Sequence, residues 1–293
     1  MGWPSGRPFF VQQSANLDPP RPVPQRVARE KGETMTADFT PETPWPKPAR
    51  DDCSFYTCMD FPGGETVEAV NWDIRGQFHD YIGNYPVAGK SVLDVGTASG
   101  FLAFSAEQAG AKSVTAIDAR DACEFNRIPF AGTGYTDDRH AWVRDTNNYL
   151  NRLKSSFWYG WHSYGSKAEV VYTPVSDLWA WDRRFDVVIA GAIVEHVSDP
   201  VPFLSALAGL ANEAVIVAFT PVLPTQDLVM QAMNGWDNPT FNYSWFALSV
   251  GMYQRIFVNL GFSVELAPAK ALCHEYDPPM MVDRPTVIAR RIK

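Results

Sequence analysis

Three things are scarce in this 293-residue chain, and each scarcity excludes a class of proteins. Long apolar runs are missing. Hydrophobic residues make up 46% of the chain and aromatics 13%, enough for a sizeable core, yet no stretch approaches the ~20 apolar residues that a membrane-spanning helix needs. Residues 1–50 lack the apolar centre of a secretory signal and carry prolines and polar residues instead, so they are expected to form a disordered or loosely docked extension of a cytoplasmic protein. Cysteine is sparse: Cys53, Cys58, Cys123 and Cys273 are too few for a disulfide framework and match no zinc spacing, which predicts reduced thiols and no metal centre. Positive charge is also short, with 25 Lys and Arg against 33 Asp and Glu. A formal net charge of −8 leaves no global footprint for nucleic acid.

Glycine is missing at two informative places. The stretch Val92-Leu93-Asp94-Val95-Gly96-Thr97-Ala98-Ser99-Gly100-Phe101 reads as a buried β-strand entering a glycine-flanked turn and then a helix. Such a turn sets backbone N–H groups and a helix N-terminus at a sheet edge, where an anionic or zwitterionic small molecule is expected to bind. A dinucleotide fingerprint would need glycines at 96, 98 and 101. Ala98 and Phe101 stand at two of those positions and disfavour NAD or FAD.

The rest of the chain alternates strand and helix signals, which implies a parallel sheet. Strands are expected at 91–96, 113–118, 168–173, 185–190, 214–220, 263–266 and 286–290, and helices at about 99–109, 200–210 and 250–260, with residues 71–82 also helical in spacing. Asp118 ends its strand, where a carboxylate can accept both hydroxyls of a ribose; the bland alternative is a helix N-cap. Glu195 and His196 follow the strand at 185–190, at the carboxyl edge where the crevice of such a sheet opens. A histidine there can take a proton from a substrate hydroxyl or amine near neutral pH. Two connectors are unusually long, near 140–166 and 221–246, and are expected to cover a substrate. The aromatic face over 149–161 reads first as core and second as a pocket wall.

Asp94, Gly96, Ala98 and Gly100 fall on an acid-x-Gly-x-Gly-x-Gly pattern with alanine at the middle glycine. With Asp118, Phe185-Asp186-Val187-Val188 and Gly261-Phe262, the pattern resembles the class I S-adenosylmethionine (SAM)-dependent methyltransferases over about residues 70–290. The resemblance implies an α/β, Rossmann-like fold with a seven-stranded, mostly parallel sheet, helices on both faces and one strand reversed by a final hairpin. It implies SAM as cofactor, held by Asp94, Gly96, Thr97, Ala98 and Gly100 in the turn and by Asp118 and Ala119 at the ribose. Val175 and Ser176 would meet adenine through backbone, with Asp177 as an alternative acid. Trp72 and Arg75 would close one side of the site, Arg75 facing the methionine carboxylate. In that family a pair such as Glu195-His196 serves either catalysis or structure.

A narrower similarity, carried by Asn242-Tyr243-Ser244-Trp245-Phe246 and Val194-Glu195-His196-x-x-x-Pro200, is to the tRNA wobble-uridine carboxymethyltransferase branch. That branch carries Tyr-His-Arg where this chain has Glu195-His196-Val197. The expected activity is methyl transfer to an oxygen or nitrogen of a small molecule; the alternatives are a tRNA-modifying enzyme of that branch and a non-catalytic SAM-binding protein. The expected domain spans 51–293, and Met35 reads like a natural start.

Overall fold

Runs of valine, isoleucine and alanine build the centre of the protein. In the computed structural model, which describes residues 38–69, 71–233 and 243–292, they form one eight-stranded sheet. Its strands are β1 (Trp72–Asp73), β2 (Ser91–Val95), β3 (Ser113–Asp118), β4 (Glu169–Tyr172), β5 (Phe185–Gly191), β6 (Ala211–Ala218), β7 (Phe262–Cys273) and β8 (Met280–Arg291). Their order in space is β4-β3-β2-β5-β6-β8-β7-β1. The strands β2 to β6 pair in parallel, whereas β8 lies antiparallel between β6 and β7. The chain runs outward from β2 to β4 and returns to β5 on the other side. Strand order therefore reverses between β2 and β5, and the crevice of an open α/β sheet lies at that point.

Helices cover both faces, as the wholly apolar central strands require. One face is packed by α2 (Phe101–Gln108) and the 26-residue α3 (Arg139–Tyr164), through Leu102, Phe104, Phe157 and Trp158, and by residues 53–87. The short α1 (Phe78–Tyr81) lies on this side. The other face is packed by α4 (Pro200–Leu210) and α5 (Val250–Asn259), through Phe203, Leu207, Ile256 and Phe257. The capping chemistry fits these boundaries. Asp138 accepts from the Ala141 amide at the start of α3, Gly165 closes it in the left-handed conformation, and Ser249 accepts from the Met252 amide at the start of α5.

The seven-stranded expectation needs one correction and one extension. Residues 71–82 are not a continuous helix: Trp72–Asp73 is an edge strand paired with Cys273 and Leu272, and only Phe78–Tyr81 is helical, because Gly76 adopts a positive φ of 71° between them. The final hairpin is also longer than the apolar alternation implied, twelve residues in each strand. Prolines normally end strands, but Pro268 and Pro285 stand opposite each other in register, so both missing N–H groups fall in one rung and the ladder continues past them.

Residues 38–49 run without helix or strand along β4. The Glu42 amide donates to the Val170 carbonyl (2.8 Å), Phe39 stacks on Trp181 (4.8 Å) and Trp45 stacks on Trp158 (6.0 Å). The residues before 38 lie outside the described residues. So does 234–242 of the expected covering stretch 221–246, whose described parts form a small sheet of Val222–Leu223, Met230–Ala232 and Phe246–Ser249.

Candidate active site at the carboxyl edge of the sheet

The turn after β2 is tied to β3 by its own amides. Gly96 and Thr97 both donate to the Ile117 carbonyl (2.9 and 3.0 Å), Ala98 donates to Asp118 Oδ2 (2.7 Å), and Gly100 donates to the Thr97 carbonyl (2.8 Å). Four of the five turn amides are thus engaged inside the protein. This corrects the expectation of free N–H groups waiting for an anion: the turn offers acceptors instead. Gly96 and Gly100 have positive φ, and a Cβ on either would lie within 2.6 Å of Ile193 or 2.4 Å of Phe104, so packing as well as backbone demands glycine there.

The acceptors are Asp94 and Asp118. Asp94 is fully buried and neither of its carboxylate oxygens has a hydrogen-bond partner; burial pushes its pKa up to about 7, against the nearby Thr97 hydroxyl and Ala103 amide. Asp118 Oδ1 accepts from the Ala119 amide (2.7 Å), and burial raises its pKa despite the two amides it holds. A buried carboxylate without a donor is costly, and it suits a cationic or hydroxyl-rich ligand rather than a phosphate. On that chemistry the residues fit the ammonium and ribose of SAM.

Of the four described non-glycine residues with positive φ, three come directly after a neighbouring strand or its turn: Ala98 (50°) beyond β2, Ala192 (47°) after β5 and Phe219 (52°) after β6; the fourth is Asn84. Strained backbone of this kind collects at ligand sites. The crevice wall next to them is aromatic and polar. Phe219 stacks on Tyr81 (5.4 Å) and meets Trp72 edge-on (5.3 Å), and the Arg284 guanidinium lies over both Phe219 and Trp72.

Glu195, buried, binds Arg284 (3.3 Å) with one oxygen and accepts from the Thr220 hydroxyl (3.1 Å) with the other. His196 Nδ1 lies 2.9 Å from the Tyr243 carbonyl, which can only accept, so that nitrogen carries a proton and Nε2 is the acceptor of the neutral ring.

The structure thus brings Asp94, Gly96, Thr97, Ala98, Gly100, Asp118 and Ala119 together, and sets Glu195 and His196 on the loop after β5. Trp72 reaches the same wall from β1. Arg75 does not: its guanidinium is taken up by Asp73 (2.6 Å), Glu68 (2.9 Å) and Asp60 (3.1 Å). Val175 opens a short 3-10 helix after β4 with Ser176 exposed beside it. Sequence reasoning missed Arg284 and Tyr81. The only signal for Arg284 was a charge directly before the apolar run that ends the chain.

It missed a second feature as well. Tyr149, whose hydroxyl feels the charge of Asp118, lines a cleft of about 380 Å³ with Arg127, Asp138 and Trp142. Arg127 lies over the rings of Phe125 (5.1 Å) and Tyr243 (5.7 Å), and its neighbour Asn126 links the loop after β3 to Ser198 and Trp245.

Sheet order, turn and the two acids define the class: a class I SAM-dependent methyltransferase domain. Comparison with known proteins agrees. The family described as "Methyltransferase domain" matches residues 74–266, and the chain belongs to that family. A ubiquinone biosynthesis O-methyltransferase of Neisseria meningitidis serogroup C is 29% identical over 164 residues, covering 52% of this chain and 56% of that protein, so the chain spans about half the length of this curated relative. Among solved structures, the magnesium protoporphyrin IX methyltransferase of Synechocystis PCC 6803 is 16% identical, with 70% of this chain and 76% of that one covered and a TM-score of 0.44. The N-terminal domain of EvdMO1 is 14% identical, with 82% and 91% covered and a TM-score of 0.47. Among the described residues no helix is long and apolar enough to cross a membrane.

Proposed function

We propose that the protein transfers the methyl group of SAM to an oxygen or nitrogen of a small-molecule acceptor. The observation that carries this reading is the unpartnered, buried Asp94 beneath a turn whose amides are already engaged. Asp94 and the 96–100 turn would hold the amino-acid end of SAM, Asp118 and Ala119 its ribose, and Val175 and Ser176 its adenine. The group supplies an activated methyl on a sulfonium, so this chain's task is mainly alignment and exclusion of water. In this reading Arg284, fixed by Glu195, takes the carboxylate-facing part first expected of Arg75. His196 Nε2 accepts the proton that leaves the acceptor. The cleft beside Tyr149 holds the acceptor, since about 380 Å³ falls within the range of small-molecule pockets. Four free cysteines and the absence of a spanning helix among the described residues support placing the protein in the cytoplasm.

Calorimetry with SAM tests the cofactor part. Asp118→Ala should weaken binding by more than ~10-fold, the cost of losing a charge-assisted hydrogen bond or two; unchanged affinity overturns the ribose assignment. Mass spectrometry of a metabolite extract incubated with the protein and isotope-labelled SAM tests the transfer. A labelled small-molecule product is expected, whereas label on tRNA would favour the wobble-uridine branch, and tight SAM binding with no product would favour a sensor.

A further inference from the structure

Away from the crevice, three chemically soft and hard donors meet at the outer edge of the sheet. Cys58, Asp73 and His274 each present one ligand atom, and these atoms lie within 4.8 Å of one another. Backbone hydrogen bonds place all three. The Cys58 amide donates to the Trp72 carbonyl (2.9 Å), the His274 amide donates to the Asn71 carbonyl (2.8 Å), and Asp73 pairs in register with Leu272, two residues before His274. The cluster is therefore held by three chain segments and not by flexible side chains alone.

Its internal bonding is incomplete. His274 Nε2 is enclosed and has no hydrogen-bond partner, although an imidazole nitrogen buried without one costs on the order of 1–3 kcal/mol. Cys58 is fully buried, and the Ala69 amide donates to its sulfur (3.2 Å), which fixes where that sulfur points. Charge points the same way. Around Arg75 stand Asp60, Glu68 and Asp73, so three negative charges face one positive charge, leaving two to be balanced.

We propose that Cys58, Asp73 and His274 form a binding site for a divalent transition metal of zinc type. Thiolate, imidazole and carboxylate are the ligands zinc takes, at ~2.0–2.3 Å each, and three protein ligands leave a fourth position for water or for Glu68, whose Oε2 is 3.5 Å from the Cys58 sulfur. Binding releases the thiol proton to solvent. Arg75, which donates to both oxygens of Asp73, fixes that carboxylate from outside the coordination sphere. The metal would pin the strap at Cys58, the edge strand β1 and the end of β7 into one unit behind Trp72. The sequence showed no such spacing because the three ligands are 15 and 201 positions apart (73 − 58 and 274 − 73).

The test uses the full chain stripped with chelator. Cobalt(II) should bind with one equivalent per chain and give a thiolate-to-cobalt charge-transfer band, zinc should displace it, and zinc should raise the melting temperature. Cys58→Ser should abolish the charge-transfer band, and His274→Gln, at a partly exposed position, should weaken zinc by more than the ~10–100-fold that loss of an outer-shell partner costs. Both variants should keep the wild-type circular dichroism and wild-type SAM affinity, which separates a failure here from a failure of the methyl-transfer reading. Absence of a stoichiometric cobalt complex, or a band that persists in Cys58→Ser, overturns the proposal.

Discussion

Two residues of the motif turn depart from what unstrained chemistry would choose, and both departures have measurable signs. Ala98 sits at φ 50°, a conformation that costs an L-residue ~1 kcal/mol and glycine almost nothing. Ala98→Gly should therefore raise stability by ~0.5–1 kcal/mol in urea denaturation, the gain tempered by the greater freedom of glycine in the unfolded chain. Asp94 is the opposite kind of departure. Its pKa is raised from 3.8 to about 7, so the folded protein binds this proton more tightly than the unfolded chain does. The contribution of Asp94 to stability is then fully present below pH ~4 and is lost as pH rises to about 7. Asp94→Asn should remove that decline: relative to wild type the variant gains melting temperature between pH 4 and 7 and keeps the gain at pH 8, while its affinity for SAM falls. Parallel melting curves across pH, differenced between the two proteins, isolate this group from carboxylates such as Asp73 and Asp186, whose pKa values are lowered and whose contributions run the other way.

At the scale of elements, the hairpin of β7 and β8 does more than close the sheet. Arg284 reaches from it to Glu195 on the loop after β5, and this pair is largely out of water. Removing one partner of a buried pair strands the other, at a cost of ~3–5 kcal/mol. Arg284→Ala should destabilise the protein by about that much in chemical denaturation, and Arg284→Lys by less. The hairpin also shows where sequence reading stops. Its inner half, 286–290, was legible because Val287, Ile288 and Ala289 are an apolar run. Its outer half was not, because prolines in register and exposed charged positions imitate a loop. Trp72 and Asp73 form an edge strand of only two residues, which no periodicity can reveal; their pairing depends on the distant Leu272 and Cys273.

The molecule as a whole was legible in its order and obscure in its fine contacts. The alternation of strand and helix follows from local patterns that repeat within a few residues, and the mostly parallel sheet between helices came out as expected, whereas the turn at 96–100 has its amides engaged rather than free. Arg284, Tyr81 and the Cys58 cluster arise from contacts across more than a hundred positions, which hydrophobic periodicity does not encode. The boundary of the domain belongs to this scale. Phe39 and Trp45 stack on Trp181 and Trp158, so a chain starting at Met35 should melt with the full-length protein. One starting at residue 51 should lose ~1–3 kcal/mol through the two stacks and the bond from the Glu42 amide, as read by thermal denaturation.

The turn after β2 finally bears on the company the protein keeps. A cell is crowded with phosphorylated nucleotides that share adenine and ribose with SAM. A loop with free amides would hold them by their phosphates. Here four of the five turn amides are already bonded, and the carboxyl groups of Asp94 and Asp118 stand beside the turn. Under the proposed reading, discrimination against the commonest adenine compounds would be built from withheld donors and, where these acids are ionised, from repulsion, with no residue needed that recognises SAM alone.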